Sequence, residues 1–426
     1  MALKRNKSHE YSNSYFYVIV VGICCLFLGL YWSVTLFCDE PNETTIGLAG
    51  EKLEKAIENY YSKKGTVGDF IGGIVGTLVS LIGMLLLYLT LKKQQHDSEK
   101  QKIETRFFEL LKIHRDNANE VVFRNHENKV LIEGRKVFKE IYNQIEDAIL
   151  ATEALLKIWS VDRLLSDEII KNKNVEEQKD YLKFQLSYTI VFLGIAWDEK
   201  KDTTKYLGNF LKADVVKDVY NFFRLAPSEN HFNSHYKSWK KVIETKILTL
   251  ENYTCLIDQK TGISELVFNE HSFGDNSDLI RMRDYFKIDG ADKRTRFGGH
   301  KHKLGHYFRH LYQTVNYIDN QKILSFDEKY DYIKTLRAQL SNYEQMVFFY
   351  NSIHSIGAKW EVKYRDTEKY NDEQRYSKAL VSKYNFIKNI HNAAEIEATK
   401  KYPLVAFELE AKSSLRKTIK DKYWIN

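Results

Sequence analysis

Proline is nearly absent, with three residues in 426. Proline removes a backbone donor and clashes with the preceding helical turn, so its scarcity excludes a chain of short, broken elements and favours long helices. Cysteine is scarce too, at four. Cys24 and Cys25 fall inside an apolar run, Cys38 stands at its end and Cys255 is alone. That pattern excludes a disulfide framework and a cysteine metal site, and it suits a reducing compartment. No HExxH occurs, so neither a metal nor a cofactor is expected. Charge of one sign is not in great excess: 64 basic against 57 acidic side chains give +7. A basic surface facing a membrane explains that balance as well as nucleic acid does, and DNA is not an expected partner. Internal repeats and low-complexity tracts are also missing.

What the chain does have is apolar length. Residues 15–37 and 67–91 are each long enough to cross a bilayer, which takes about 20 mostly apolar residues. Lys4, Arg5 and Lys7 precede the first, and Lys92 and Lys93 follow the second. Positive outer flanks place residues 1–14 and everything after 91 in the cytoplasm, with 38–66 as a short external loop carrying a short amphipathic helix from Leu53 onward. No small-x-small cleavage site follows Phe37, which argues against a signal peptide. In the second span Gly68, Gly72 and Gly76 recur every fourth residue, the spacing that lets helix backbones approach closely in lipid. The expectation is a two-helix transmembrane hairpin in a bacterial inner membrane, with the bilayer as partner and a homo-oligomer formed through the stripe.

The remainder reads as a mainly α cytoplasmic body. Residues 92–150 form a stalk helix and the first part of that body; Ile103, Phe107, Leu110, Leu111 and His114 recur at helical spacing. Helical patterns follow at 134–149, 151–165, 176–197, 205–225 and 238–256, the last four within a variable region, 151–296. A strand is allowed only at 264–268. A His/Arg-rich helix pair occupies 297–356, and a charged helical tail runs over 357–426.

Two stretches of that pair could carry chemistry. In the first, Leu304, Tyr307, Phe308, Leu311, Tyr312, Val315 and Ile318 make a core stripe, with His306, Arg309 and His310 on the other side. If the helix starts early enough, His302, His306 and His310 line up one turn apart. Gly298, Gly299, Lys301, Lys303 and Arg309 at its start suit an anion, because glycines admit backbone N–H groups and a helix N-terminus is partly positive. A solvated basic face over a core helix is the plain alternative. In the second stretch, 336–351, Arg337, Glu344 and Asn351 are spaced by seven, on one edge of a single helix. With Glu109, His114 and Arg135 they suggest a structural polar network. The sharper reading is an active site between the two helices, in which Arg309 or Arg337 holds a phosphate and His306 or His310 is acid or base.

Read together, Phe107-Phe-Glu-Leu-Leu111 with His114 and Asn117, Gly134-Arg135-x-x-Phe138, Gly305-His-Tyr-Phe-Arg-His-Leu-Tyr312 and Leu336-Arg-Ala-Gln-Leu-Ser341 resemble the AbiC-like family of phage abortive infection proteins. The resemblance implies a bacterial defence protein that halts growth of, or kills, the infected cell, and brings no catalytic residue set. Three mechanisms are compatible with it. A sensing module would bind a phage component or RNA and signal to the membrane. A membrane effector would oligomerise through the glycines. A metal-independent helical ribonuclease of the HEPN kind would use an Arg and a His a few residues on, as in Arg294/His300 or Arg296/His302.

Overall fold

The computed structural model describes residues 50–124, 130–171, 174–195, 200–227, 233–247, 276–286, 295–357, 359–360 and 380–387, with scattered residues between 17 and 35. The described chain is mainly helical and divides into two units, Met1–Glu104 and Thr105–Asn426.

One helix, α1 (Glu51–Asn119), runs from the first unit into the second without a break. It contains no proline, and Glu51 and Glu54 sit in its first turn, where the helix dipole favours negative charge. The external loop expected at 38–66 is therefore helical from Glu51 onward. Within the first unit, α1 carries an apolar window of mean hydropathy 2.3 in which no residue is buried; Leu81, Met84, Leu87 and Leu91 are exposed. Among the described residues it is the one helix long and apolar enough to cross a membrane. Most of the first apolar segment lies outside the described residues. Its Gly22 packs on α1: a Cβ there would sit 3.3 Å from Ile82. By contrast, a Cβ at Gly68, Gly72 or Gly76 would meet nothing within 4 Å among the described residues.

In the second unit, Phe107, Leu110, Leu111 and His114 are buried, as their spacing predicts. An antiparallel pair follows α1, β1 (Val122–Arg124) with β2 (Val130–Glu133), closed by Gly134 at φ +63°. These strands were not expected; the strand allowed at 264–268 lies outside the described residues. Next come α2 (Lys136–Ile158), two single turns (Val161–Leu164 and Asp167–Ile170) and α3 (Val175–Leu193). Helix α2 fuses patterns read as two. It buries Val137, Phe138, Ile141 and Ile145 and packs against α3, which is buried on every side from Leu182 onward. Helices α4 (Lys200–Leu207), α5 (Val216–Arg224), α6 (Asn233–Thr245) and α7 (Ser277–Phe286) surround this pair.

The last part of the body holds α8 (Lys301–Asp319), α9 (Phe326–Arg337), α10 (Asn342–Ile353) and a short α11 (Leu380–Tyr384). Residues 336–351 do not form one helix. Ser341 accepts from the Glu344 N–H at 3.3 Å, and the Ser341 N–H donates to the Glu344 carboxylate at 2.6 Å. This capping box starts a new helix, so Arg337 lies on a different element from Glu344 and Asn351. Most of the tail after 360 lies outside the described residues.

A basic cleft on helix α8

Helix α8 begins where two glycines meet. Gly194 ends α3 at φ +86°, and Gly299 precedes α8 at the same angle. A Cβ on Gly299 would lie 2.7 Å from the Leu193 carbonyl oxygen and 3.1 Å from Gly194 Cα. The two strands of backbone are further joined by Ile195 N–H donating to the Phe297 oxygen and His300 N–H donating to the Phe192 oxygen, each at 2.9 Å. Gly299 thus serves a backbone crossing rather than an anion cradle, and Gly298 is exposed. Lys301 is engaged as well, at 2.7 Å from Asp202.

From this start, Leu304, Tyr307, Phe308, Leu311, Val315 and Ile318 face the core. His302, His306 and Arg309 are exposed on the other side, with His310 half-buried. They line a cleft of about 460 Å³ with Lys303, and the end of α1 completes it with Asn117 and the following Glu120. His306 and Arg309 make no hydrogen bond or ion pair among the described residues.

Beneath the cleft lies a stack of rings. His114, fully buried, stands 5.0 Å from Tyr307 and 6.4 Å from His310, with 17° between the two imidazole planes. Neither nitrogen of His114 or of His310 has a hydrogen-bond partner among the described residues. Burial, then the charges of His310 and Arg135, lowers the His114 pKa to about 3. Burial, then Arg106, lowers that of His310. Both rings are held neutral, leaving each one donor and one acceptor to satisfy. Tyr307 donates to the buried Glu344 carboxylate at 2.9 Å, and Arg135 stands 3.8 Å from its other oxygen. Burial and that carboxylate push the Tyr307 phenol well up, so it keeps its proton.

The polar groups expected to form one network are thus divided. Arg135, Glu344 and His114 gather around Tyr307. Glu109 instead pairs with Arg106 on the surface of α1 at 2.8 Å. Arg337 is buried and donates to the Asn385 carbonyl oxygen, away from α8. Asn351 donates to the Tyr188 hydroxyl at 2.8 Å, beside a cluster in which His354 meets Thr189 at 2.9 Å. Arg296 is buried against Asp147 (2.9 Å) and Glu140 (2.5 Å), and His300 bonds Gln144 at 2.8 Å. Arg294 lies outside the described residues. Among the described residues no group of three or more His, Cys, Asp or Glu is placed to hold a metal ion. Asn117 and Glu120 were not singled out as site residues; only the convergence of α1 on α8 reveals them.

Residues 299–394, 96 of the 426, match the family model described as "Putative phage abortive infection protein". The match begins at the glycine crossing and spans α8, α9, α10 and α11. No curated protein and no solved structure matches the chain.

Proposed function

From the match of the α8–α11 region to phage abortive infection proteins, we infer that this chain is a membrane-anchored bacterial defence protein whose helical body binds a ligand in the α8 cleft and signals to the membrane. The observation that carries this reading is the continuity of α1. One helix bears the exposed apolar stretch and, near its other end, His114 under the cleft and Asn117 in its wall. A change at Asn117 or His114 is then a change in the same helix that bears the apolar window. The positive flanks at Lys4–Lys7 and Lys92–Lys93 support two spans with both termini in the cytoplasm of an inner-membrane protein.

A second reading, a membrane effector that oligomerises, is favoured by the glycine stripe, since no described residue lies within 4 Å of a Cβ at Gly68, Gly72 or Gly76. A HEPN-type ribonuclease draws less support. Two carboxylates engage Arg296, and His300 is buried against Gln144.

Plaque counts on cells carrying Arg309→Ala and His306→Ala test the sensing function. Both side chains are exposed and make no hydrogen bond or ion pair among the described residues, so protein levels in the membrane should stay normal while protection falls at least about tenfold. Full protection from both variants would defeat the reading. Three glycines inserted after Gln95 in the same assay test the coupling, since each weakens the helix by about 1 kcal/mol. Unchanged protection there would remove coupling through α1 from the mechanism.

A further inference from the structure

We propose that the α8 cleft is a phosphate site, taking the terminal phosphate of a nucleotide-sized ligand between Arg309 and Lys303, with His310 donating from the floor. This rests on the sensing reading and names the class of ligand sensed.

Charge is the first argument. The lining sets two permanent cations, Lys303 and Arg309, against one carboxylate, Glu120, and adds three imidazoles. Arg309 is exposed and without a partner among the described residues, and its planar fork of donors matches phosphate oxygens two at a time. Helix α8 starts beside the cleft with no acidic residue of its own in the first turn and no side-chain cap, and the one carboxylate placed there, Asp202, is taken up by Lys301.

The floor is the second, independent argument. Buried polar atoms nearly always have partners, yet the four ring nitrogens of His114 and His310 have none among the described residues. Two adjacent neutral imidazoles with unused donors, one of them lining the cleft, call for an acceptor. A phosphate oxygen over His310 supplies it once the ring turns a nitrogen toward the cleft, since both nitrogens are buried in the ligand-free arrangement. His306 and His302, one and two turns toward the helix start, carry further donors along the same face.

Size sets the upper limit. About 460 Å³ lies within the roughly 300–1,000 Å³ usual for small-ligand sites, enough for one nucleotide and too little for a duplex.

Calorimetry on the purified full-length chain in nanodiscs tests this with adenosine monophosphate, adenosine and inorganic phosphate. A further pair of probes is a short RNA with a 5′-phosphate and the same RNA with a 5′-hydroxyl. Adenosine monophosphate should bind at least tenfold more tightly than adenosine and be displaced by inorganic phosphate. Arg309→Gln should weaken it at least tenfold and His310→Phe severalfold, with unchanged circular dichroism. Lys301→Gln removes one charge outside the cleft and should change affinity less than twofold. Binding of the 5′-phosphorylated RNA but not its 5′-hydroxyl twin would assign an RNA end as the source; binding of the mononucleotide without either RNA would assign a free nucleotide. Equal affinity for adenosine and its monophosphate, no binding of any probe, or indifference to Arg309→Gln would overturn the proposal. Lost protection in Arg309→Gln without phosphate-dependent binding would remove the phosphate and leave the sensing role. Phosphate-dependent binding lost in Arg309→Gln with protection intact would keep the site and remove its part in defence.

Discussion

Replacing Arg296 with leucine should cost the body about 3–5 kcal/mol, the usual penalty for stripping the partner from a buried charge. Arg296 is 5% exposed, and its guanidinium reaches Asp147 on one edge and Glu140 on the other. Asp147 is itself 2% exposed and also accepts from the Tyr236 hydroxyl at 2.7 Å. Lys240, 3.4 Å away, is too solvated to replace the lost cation. The variant would leave a carboxylate in the core with one neutral donor and one weakly held ammonium. A urea titration followed by tryptophan fluorescence would show the midpoint shift. Adding Asp147→Leu should recover part of the loss, because removing both members of a buried pair is often close to neutral. A loss under about 1 kcal/mol would mean that the pair is not desolvated as described. The same measurement bears on function: an arginine kept for catalysis would be dispensable for folding, and Arg296 should not be.

Acid should unfold the body well before its carboxylates titrate. His114 and His300 both have folded pKa values lowered to about 3 from an ordinary 6.5; at His300 the causes are burial, then Lys303 and Arg296. A histidine held neutral in the folded state binds its proton more readily when unfolded. Stability is therefore fully present above pH 6.5 and falls as the pH drops toward 3. At pH 5 each ring should account for about 2 kcal/mol of lost stability. Urea midpoints between pH 7.5 and 5 should show that slope, and His114→Leu should reduce it by about one proton. An identical slope in His114→Leu and the parent would show that His114 is not held neutral by the fold.

Single-helix features were legible in the sequence. The apolar length of α1, its Phe107-to-His114 face and the core stripe of α8 each follow from periodicity, which reports burial on one element at a time. The alignment of His302, His306 and His310 was legible on the same ground once the helix started at Lys301. Pairings between distant elements were not. Asp147 and Glu140 lie about 150 positions before Arg296, and no local spacing announces them. Gly298 and Gly299 look like an anion loop as long as Gly194 is out of view. Arg337, Glu344 and Asn351 fall on one edge only if the helix continues through Ser341. The S-x-x-E capping signal that ends it was present in the sequence, but the apolar period runs across it without interruption. The hairpin of β1 and β2 carried a weak cue in its Val and Ile residues, too short to outweigh the surrounding helical pattern.

The crossing of Gly194 and Gly299 has a consequence for how this chain can vary. It closes a loop of about a hundred residues with two glycines and a pair of backbone bonds, so the start of α8 is set from α3 rather than from the sequence immediately before it. The entropy of closing a flexible loop grows only with the logarithm of its length; doubling it adds about 0.6 kcal/mol. The exposed turns of the intervening stretch can therefore be lengthened or shortened, with its buried residues such as Trp239 and Arg296 kept, while the histidine face of α8 stays where it is. Adding one methyl group at either glycine would disturb that face more than inserting a whole surface helix between them.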